Sequence, residues 1–142
     1  MTQTEMFNEG FTKWLQRINP EMKQIATFLT EPLSDQPEIL IRSMELIEAW
    51  NGRAGFMFAE ASSWVDKAKY IFLPERDGRR EMDRKAELDH RISDFRAVRD
   101  KMEYLMGAIK QRLILGESVL AYQRQFRDPT VTKNKEAAPW GK

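Results

Sequence analysis

"LIRSMELIEAWNGRAGFMFAEASSWVDKAKYIF", residues 40–72, decides the architecture. Leu40, Met44, Ile47, Asn51, Ala54, Phe58, Ala61, Val65, Ala68 and Phe72 follow one another at alternating steps of four and three, and all but Asn51 are apolar or small. That spacing keeps one face of a long helix apolar. Trp50, Met57, Trp64 and Ile71 form a second file, repeating every seven residues beside the first. The apolar face is therefore three positions wide in seven, whereas a two-stranded coiled coil needs two. The extra file calls for cover, either from the N-terminal segments folding back or from neighbouring subunits. Gly52 and Gly55 fall inside this helix, where each costs about 1 kcal/mol against Ala, so close backbone packing or a kink is expected there.

The helix is bounded on both sides. "EPLSDQP" at 31–37 is a loop; Ser34 or Asp35 suits the cap, and Pro37 suits the first turn. "PERDG" at 74–78 ends the helix, because the residue before a proline leaves helical geometry and Asp-Gly is a turn pair. Upstream, Phe7, Phe11, Trp14, Leu15 and Ile18 share one side of a short helix that "NP" at 19–20 should stop. Pro20 then opens a second short helix with Met22, Ile25, Ala26 and Leu29. Downstream, Leu88, Ile92, Phe95, Met102, Met106, Ile109, Leu113 and Leu120 form the seam of another long helix, flanked by Val98, Leu105, Val119 and Phe126.

The expectation is an all-α chain: two short N-terminal helices at about 3–18 and 20–30, then a long antiparallel, coiled-coil-like hairpin at about 37–73 and 80–127. Residues 1–128 would be one helical domain and 129–142 a flexible tail with Trp140 as its only large aromatic. Trp50, Met57, Trp64 and Ile71, with Leu105 and Val119 from the second long helix, are the expected oligomerisation residues.

The chain has 142 residues, 42% of them hydrophobic, which suits a single core. Its 23 basic and 22 acidic residues leave a net charge of +1, so any electrostatic partner must be read from local patches. Residues 1–73 carry seven Lys or Arg against ten Asp or Glu, and 74–142 carry sixteen against twelve, giving halves of −3 and +4. Cysteine is absent and His90 is the only histidine, which removes thiolate chemistry and the His and Cys clusters that transition-metal sites usually need. No glycine spacing matches a phosphate loop, and no acid, base and nucleophile set emerges. No catalytic residue, cofactor or metal is expected. The N-terminus lacks a signal-peptide pattern and no run is long enough to span a membrane, so a soluble cytoplasmic protein is expected.

The basic residues gather near the predicted turn. Residues 67–101 hold eleven Lys or Arg, seven of them Arg, against eight acids. Such groups bind phosphates without sequence preference, and Tyr70 is an aromatic free to stack an unpaired base. Trp64 and Phe72 fall on the apolar face and belong to the core. Lys67 and Lys69 are two apart and do not share a helix face, so a strand must wrap the helix to meet both, unless the last turn opens before Pro74. Glu81, Asp83, Glu87 and Asp89 alternate with Arg79, Arg80, Arg84, Lys85 and Arg91 at spacings that read as a salt-bridged, solvated face.

"DKAKYIFLPERDG", residues 66–78, resembles the K-A-R-L motif and following glycine- and arginine-containing loop of the UvsY family of phage recombination mediators. "GAIKQRL" at 107–113 and "RQF" at 124–126 are similar to that family's closing helix. Tyr70 stands where the family has an aliphatic residue, and Pro74 and Leu113 also depart from its pattern. The resemblance implies a ring-like homo-oligomer that binds single-stranded DNA and helps a RecA-like recombinase replace a single-strand-binding protein, in the host cytoplasm if phage-encoded. It implies that Lys67 and Lys69 are the basic pair of the DNA-binding motif and Arg76 the loop arginine; Tyr70, Arg79 and Arg80 complete the expected DNA-binding set. Two alternatives stay open. One is a helical structural or adaptor protein whose basic residues only solubilise it, and the other captures a partner through Trp140.

Overall fold

The computed structural model describes residues 1–127; the expected tail at 129–142, including Trp140, lies outside the described residues. Four helices follow in order: α1 Gln3–Leu29, α2 Pro37–Ile71, α3 Glu81–Arg91 and α4 Ser93–Arg127. No strand occurs among the described residues.

α1 opens on a reciprocal cap in which the Thr2 hydroxyl accepts from the Glu5 N–H at 3.1 Å and the Glu5 carboxylate accepts from the Thr2 N–H at 3.2 Å. It does not stop at Asn19–Pro20, where two helices were expected, but runs through the proline. Phe11, Trp14, Ile18, Met22 and Ile25 are buried along one stripe that passes straight through Pro20. Each such side chain contributes about 1.5–3 kcal/mol on burial. Together they exceed the cost of about 3 kcal/mol for an interior proline, and Pro20 itself faces solvent. α1 is thus one helix because its core face demands it.

The second departure is at Ile92. One long helix was expected over 80–127, yet Ile92 (φ −101°, ψ 7°) separates α3 from α4. The break is confined to one residue, since the Ile92 N–H still reaches the Leu88 carbonyl at 3.0 Å and the Arg96 N–H the Ile92 carbonyl at 3.1 Å. The Ser93 hydroxyl donates to the His90 carbonyl at 2.8 Å, a local bond that competes with helix continuation. Ile92 is fully buried, so the break holds a core side chain in place.

Contacts along the chain set the directions. The Phe7 ring lies 5.1 Å from Trp64, and Phe28 meets Trp50 at 4.8 Å, so α1 runs against α2. Phe72 and Phe95 are 5.8 Å apart at one end, and Gln123 donates to the Ser34 carbonyl at 2.9 Å at the other, so α4 returns along α2. Phe11 touches both Trp64 (5.6 Å) and Phe95 (4.3 Å), which seats α1 in the groove between α2 and α4. The buried residues of this core are all hydrophobic.

This seating settles what covers the extra apolar file of α2. Met57 and Leu105 are buried in the chain's own core, while Trp50, Trp64, Ile71 and Val119 are half-buried. The expected oligomerisation face is therefore largely closed by α1 within one chain, and Met57 and Leu105 offer no surface to another copy. A Cβ at Gly52 or Gly55 would meet nothing within 4 Å, and α2 runs unbroken through both, so neither close packing nor a helix break explains these glycines. No described helix is long and apolar enough to cross a membrane.

Candidate nucleic-acid interface

The basic stretch is built at the end of the bundle where α2 stops and α3 begins. α2 closes regularly: the Phe72 N–H bonds to the Ala68 carbonyl at 2.9 Å, so the last turn does not open before Pro74. Lys67 and Lys69 both lie exposed on intact helix, about 200° apart around its axis. One strand meets both only by crossing the helix.

Their surroundings differ. The Lys67 ammonium stands 5.7 Å from the Trp64 ring centroid, a cation–π distance, in a groove of about 470 Å³ between α1 and α2 that Lys13 and Arg17 also line. Glu9 pairs with Lys13 at 3.0 Å, while Glu60 accepts from the Trp14 indole N–H at 2.7 Å and lies 3.8 Å from Arg17. The edge of Trp64 forms part of the groove wall, but its ring is packed against Phe7, Phe11 and Trp14. It is a structural aromatic, as expected from its place on the apolar face. Tyr70 is 81% exposed and is the open ring at this end.

The turn is pinned by charge. Gly78 takes φ +85°, a conformation L side chains rarely adopt, which lets the chain reverse after Asp77. The Asp77 carboxylate accepts from Arg79 Nε at 2.7 Å and from its backbone N–H at 3.3 Å. Arg79 also grips Glu87, which holds Arg91, and Arg91 donates to the Phe72 carbonyl at 3.2 Å, capping the end of α2. Hydrogen bonding from Arg79 holds the Asp77 and Glu87 carboxyls below the usual carboxylate range, and the Asp77 and Glu87 bonds push the Arg79 guanidinium up.

Of the six expected DNA-binding residues, Lys67, Lys69, Tyr70, Arg76, Arg79 and Arg80 all sit at this end and all are exposed. They are not equivalent. Arg79 is engaged by two carboxylates, whereas Lys69, Arg76 and Arg80 are in no ion pair among the described residues.

Sequence spacing missed two groups. Lys13 and Arg17 reach the Lys67 groove through the docking of α1, which no local pattern reports. Arg84 and Lys85, expected in a salt-bridged face, make no ion pair among the described residues, whereas Glu87 pairs with Arg79 and Arg91 and Asp89 with Arg96 at 2.9 Å. No group of His, Asp and Glu among the described residues is arranged to hold a metal ion. Comparisons with protein families, curated proteins and solved structures return no match to this chain.

Proposed function

We propose that this chain is a non-enzymatic, homo-oligomeric single-stranded DNA-binding protein that acts as a recombination mediator, assisting a RecA-like recombinase to displace a single-strand-binding protein. The observation that carries the DNA-binding part is the end of the bundle where Lys67, Lys69, Arg76 and Arg80 stand exposed beside the open Tyr70 ring. Cations with no carboxylate partner attract phosphates through counterion release, and an exposed tyrosine stacks a base of any identity. The role as mediator rests on the resemblance of residues 66–78, 107–113 and 124–126 to the UvsY family. Several such sites in a ring would act on one strand together, so modest contacts suffice.

Oligomerisation is supported by a different surface from the one expected. Ala108, Leu115 and Tyr122 recur every seven residues on α4, with Leu115 51% and Tyr122 63% exposed. Val119 is half-buried beside them. The same stripe favours a second reading, a helical scaffold or adaptor that uses α4 alone and binds no nucleic acid.

Fluorescence anisotropy with labelled oligo(dT) at low and moderate salt separates the two. Binding that weakens with salt and falls about tenfold in Lys67→Ala/Lys69→Ala supports the DNA-binding proposal. Unchanged binding in that variant removes Lys67 and Lys69 from the site, and no binding by the wild type at any salt leaves the scaffold reading. Native mass with and without the oligonucleotide reports the assembly.

A further inference from the structure

The hollow between the end of α2 and the first turns of α3 brings Arg76 of the expected site together with Arg84 and Lys85, which the sequence placed in a salt-bridged face. It measures about 300 Å³ and is walled by Leu73, Pro74 and Leu88. Arg76, Arg84 and Lys85 line it, against the single carboxylate of Glu81. Three cations and one anion leave a local balance of +2.

Other arginines in the same segment do find carboxylates. Arg79 and Arg91 share Glu87, and Arg96 holds Asp89, so each has satisfied its donors on a carboxylate. Arg76, Arg84 and Lys85 make no ion pair among the described residues, even though Glu81 precedes Lys85 by one helical turn, the favourable order for pairing. Arg84 is the sharpest case. Its Nε is shut off from solvent and has no hydrogen-bond partner. Two other such atoms occur among the described residues, Arg112 Nε and Gln123 Oε1, but those side chains donate elsewhere, to the Glu31 and Ser34 carbonyls. The Arg84 side chain hydrogen-bonds to nothing among the described residues. A buried donor without an acceptor is costly.

We propose that this hollow is an anion seat for one phosphodiester of an unpaired nucleic-acid strand, held by Arg84, Lys85 and Arg76. The inference rests on the DNA-binding function proposed above and adds to it a second set of contacts. Guanidinium presents parallel N–H groups that match two phosphate oxygens, and no acceptor among the described residues holds those of Arg84. Lys85 adds a point charge from the next position, and Arg76 closes the seat from the turn. Leu73, 64% exposed, and Leu88 offer an apolar wall for the sugar. Tyr70 lies three residues before Leu73, so the stacking ring and the hollow adjoin the same end of α2.

The test compares wild type, Arg84→Gln/Lys85→Gln and Lys67→Ala/Lys69→Ala for binding of labelled oligo(dT) across a salt series, with thermal unfolding followed by circular dichroism. Because neither Arg84 nor Lys85 makes an ion pair among the described residues, the glutamine variant keeps the wild-type melting temperature. It binds about tenfold more weakly, and its dependence of log affinity on log salt is shallower by about 0.7 for each phosphate no longer neutralised. If that variant binds like wild type while Lys67→Ala/Lys69→Ala is weakened, the seat is wrong and the strand lies on α2 alone. If wild type binds no oligo(dT), the DNA-binding function falls and the seat falls with it.

Discussion

Gly10 of α1 lies so close to Trp64 of α2 that a Cβ at position 10 would stand 3.3 Å from Trp64 Cη2. This approach brings α1 down onto the file of large side chains that α2 cannot cover alone. Gly10→Leu should therefore lower stability by about 1–3 kcal/mol, as overpacking does, more than offsetting the gain of about 1 kcal/mol from replacing a helical glycine. Chemical unfolding monitored by circular dichroism measures this. Equal stability of Gly10→Leu and wild type would mean that α1 does not pack as described.

Gly52 and Gly55 are the opposite case. A methyl group at either position would have nothing within 4 Å, and the backbone is helical on both sides, so Gly52→Ala and Gly55→Ala should each stabilise by about 1 kcal/mol. A rise in the denaturant midpoint without a change in slope checks this. Destabilisation by either substitution would point to a close approach that a single chain does not contain, such as a neighbouring copy against α2.

Tyr70 and Trp64 should separate function from fold. Tyr70→Ala removes an exposed ring and should weaken single-stranded DNA binding by about tenfold, in line with about 1–3 kcal/mol for a stacked base, while leaving the melting temperature unchanged. Trp64→Ala takes out a ring packed among Phe7, Phe11 and Trp14 and should destabilise by about 3–5 kcal/mol. Intact DNA binding in Tyr70→Ala would exclude stacking on this residue.

Glu87 restrains two guanidiniums at once, those of Arg79 and Arg91. Glu87→Gln should free Arg91 from its carboxylate, leave Arg79 on Asp77 alone and raise affinity for oligo(dT) several-fold, with a salt dependence steeper by about 0.7 for each additional phosphate neutralised. Acid should loosen the same network. Arg79 holds the Asp77 and Glu87 carboxyls below their ordinary values, so the folded-state values lie under the unfolded ones. Their contribution is complete above the ordinary carboxylate range, near pH 4, and is lost as pH falls through the lower folded values. Side-chain Nε–H resonances of Arg79 and Arg91 followed by NMR below pH 5 report the release, and resonances that do not move would contradict the network.

Leu115 and Tyr122 lie exposed on α4, away from the basic end. Leu115→Glu/Tyr122→Glu should dissociate an assembly built through this stripe without unfolding the chain, as sedimentation velocity would show. An unchanged mass would place the contact between copies elsewhere.

Much of this was written locally. The four-three spacing of Leu40 to Phe72 made α2 legible, Pro37 placed its start, and Pro74 with Asp77–Gly78 placed its end, because periodicity and turn chemistry act within a few residues. The gathering of Lys67, Lys69, Tyr70, Arg76, Arg79 and Arg80 at one end followed from the same reading, since they adjoin a single turn. Local rules failed where distant residues outvoted them. Pro20 marked a boundary that the stripe from Phe11 to Ile25 overrode, and the long seam after Arg80 gave no sign of the break that Ile92 makes as it enters the core.

By itself the sequence determined the helices' apolar faces, the site of the reversal and the concentration of positive charge beside it, all consequences of near-neighbour spacing. Tertiary structure alone decided that α1 would cover the Trp50, Met57, Trp64 and Ile71 file, and which arginines would be left without a carboxylate. Both outcomes depend on how separate segments dock: Phe7 and Phe28 of α1 meet Trp64 and Trp50, and Glu87 turns to Arg79 and Arg91 and Asp89 to Arg96, while Arg84 and Lys85 stay unpaired among the described residues.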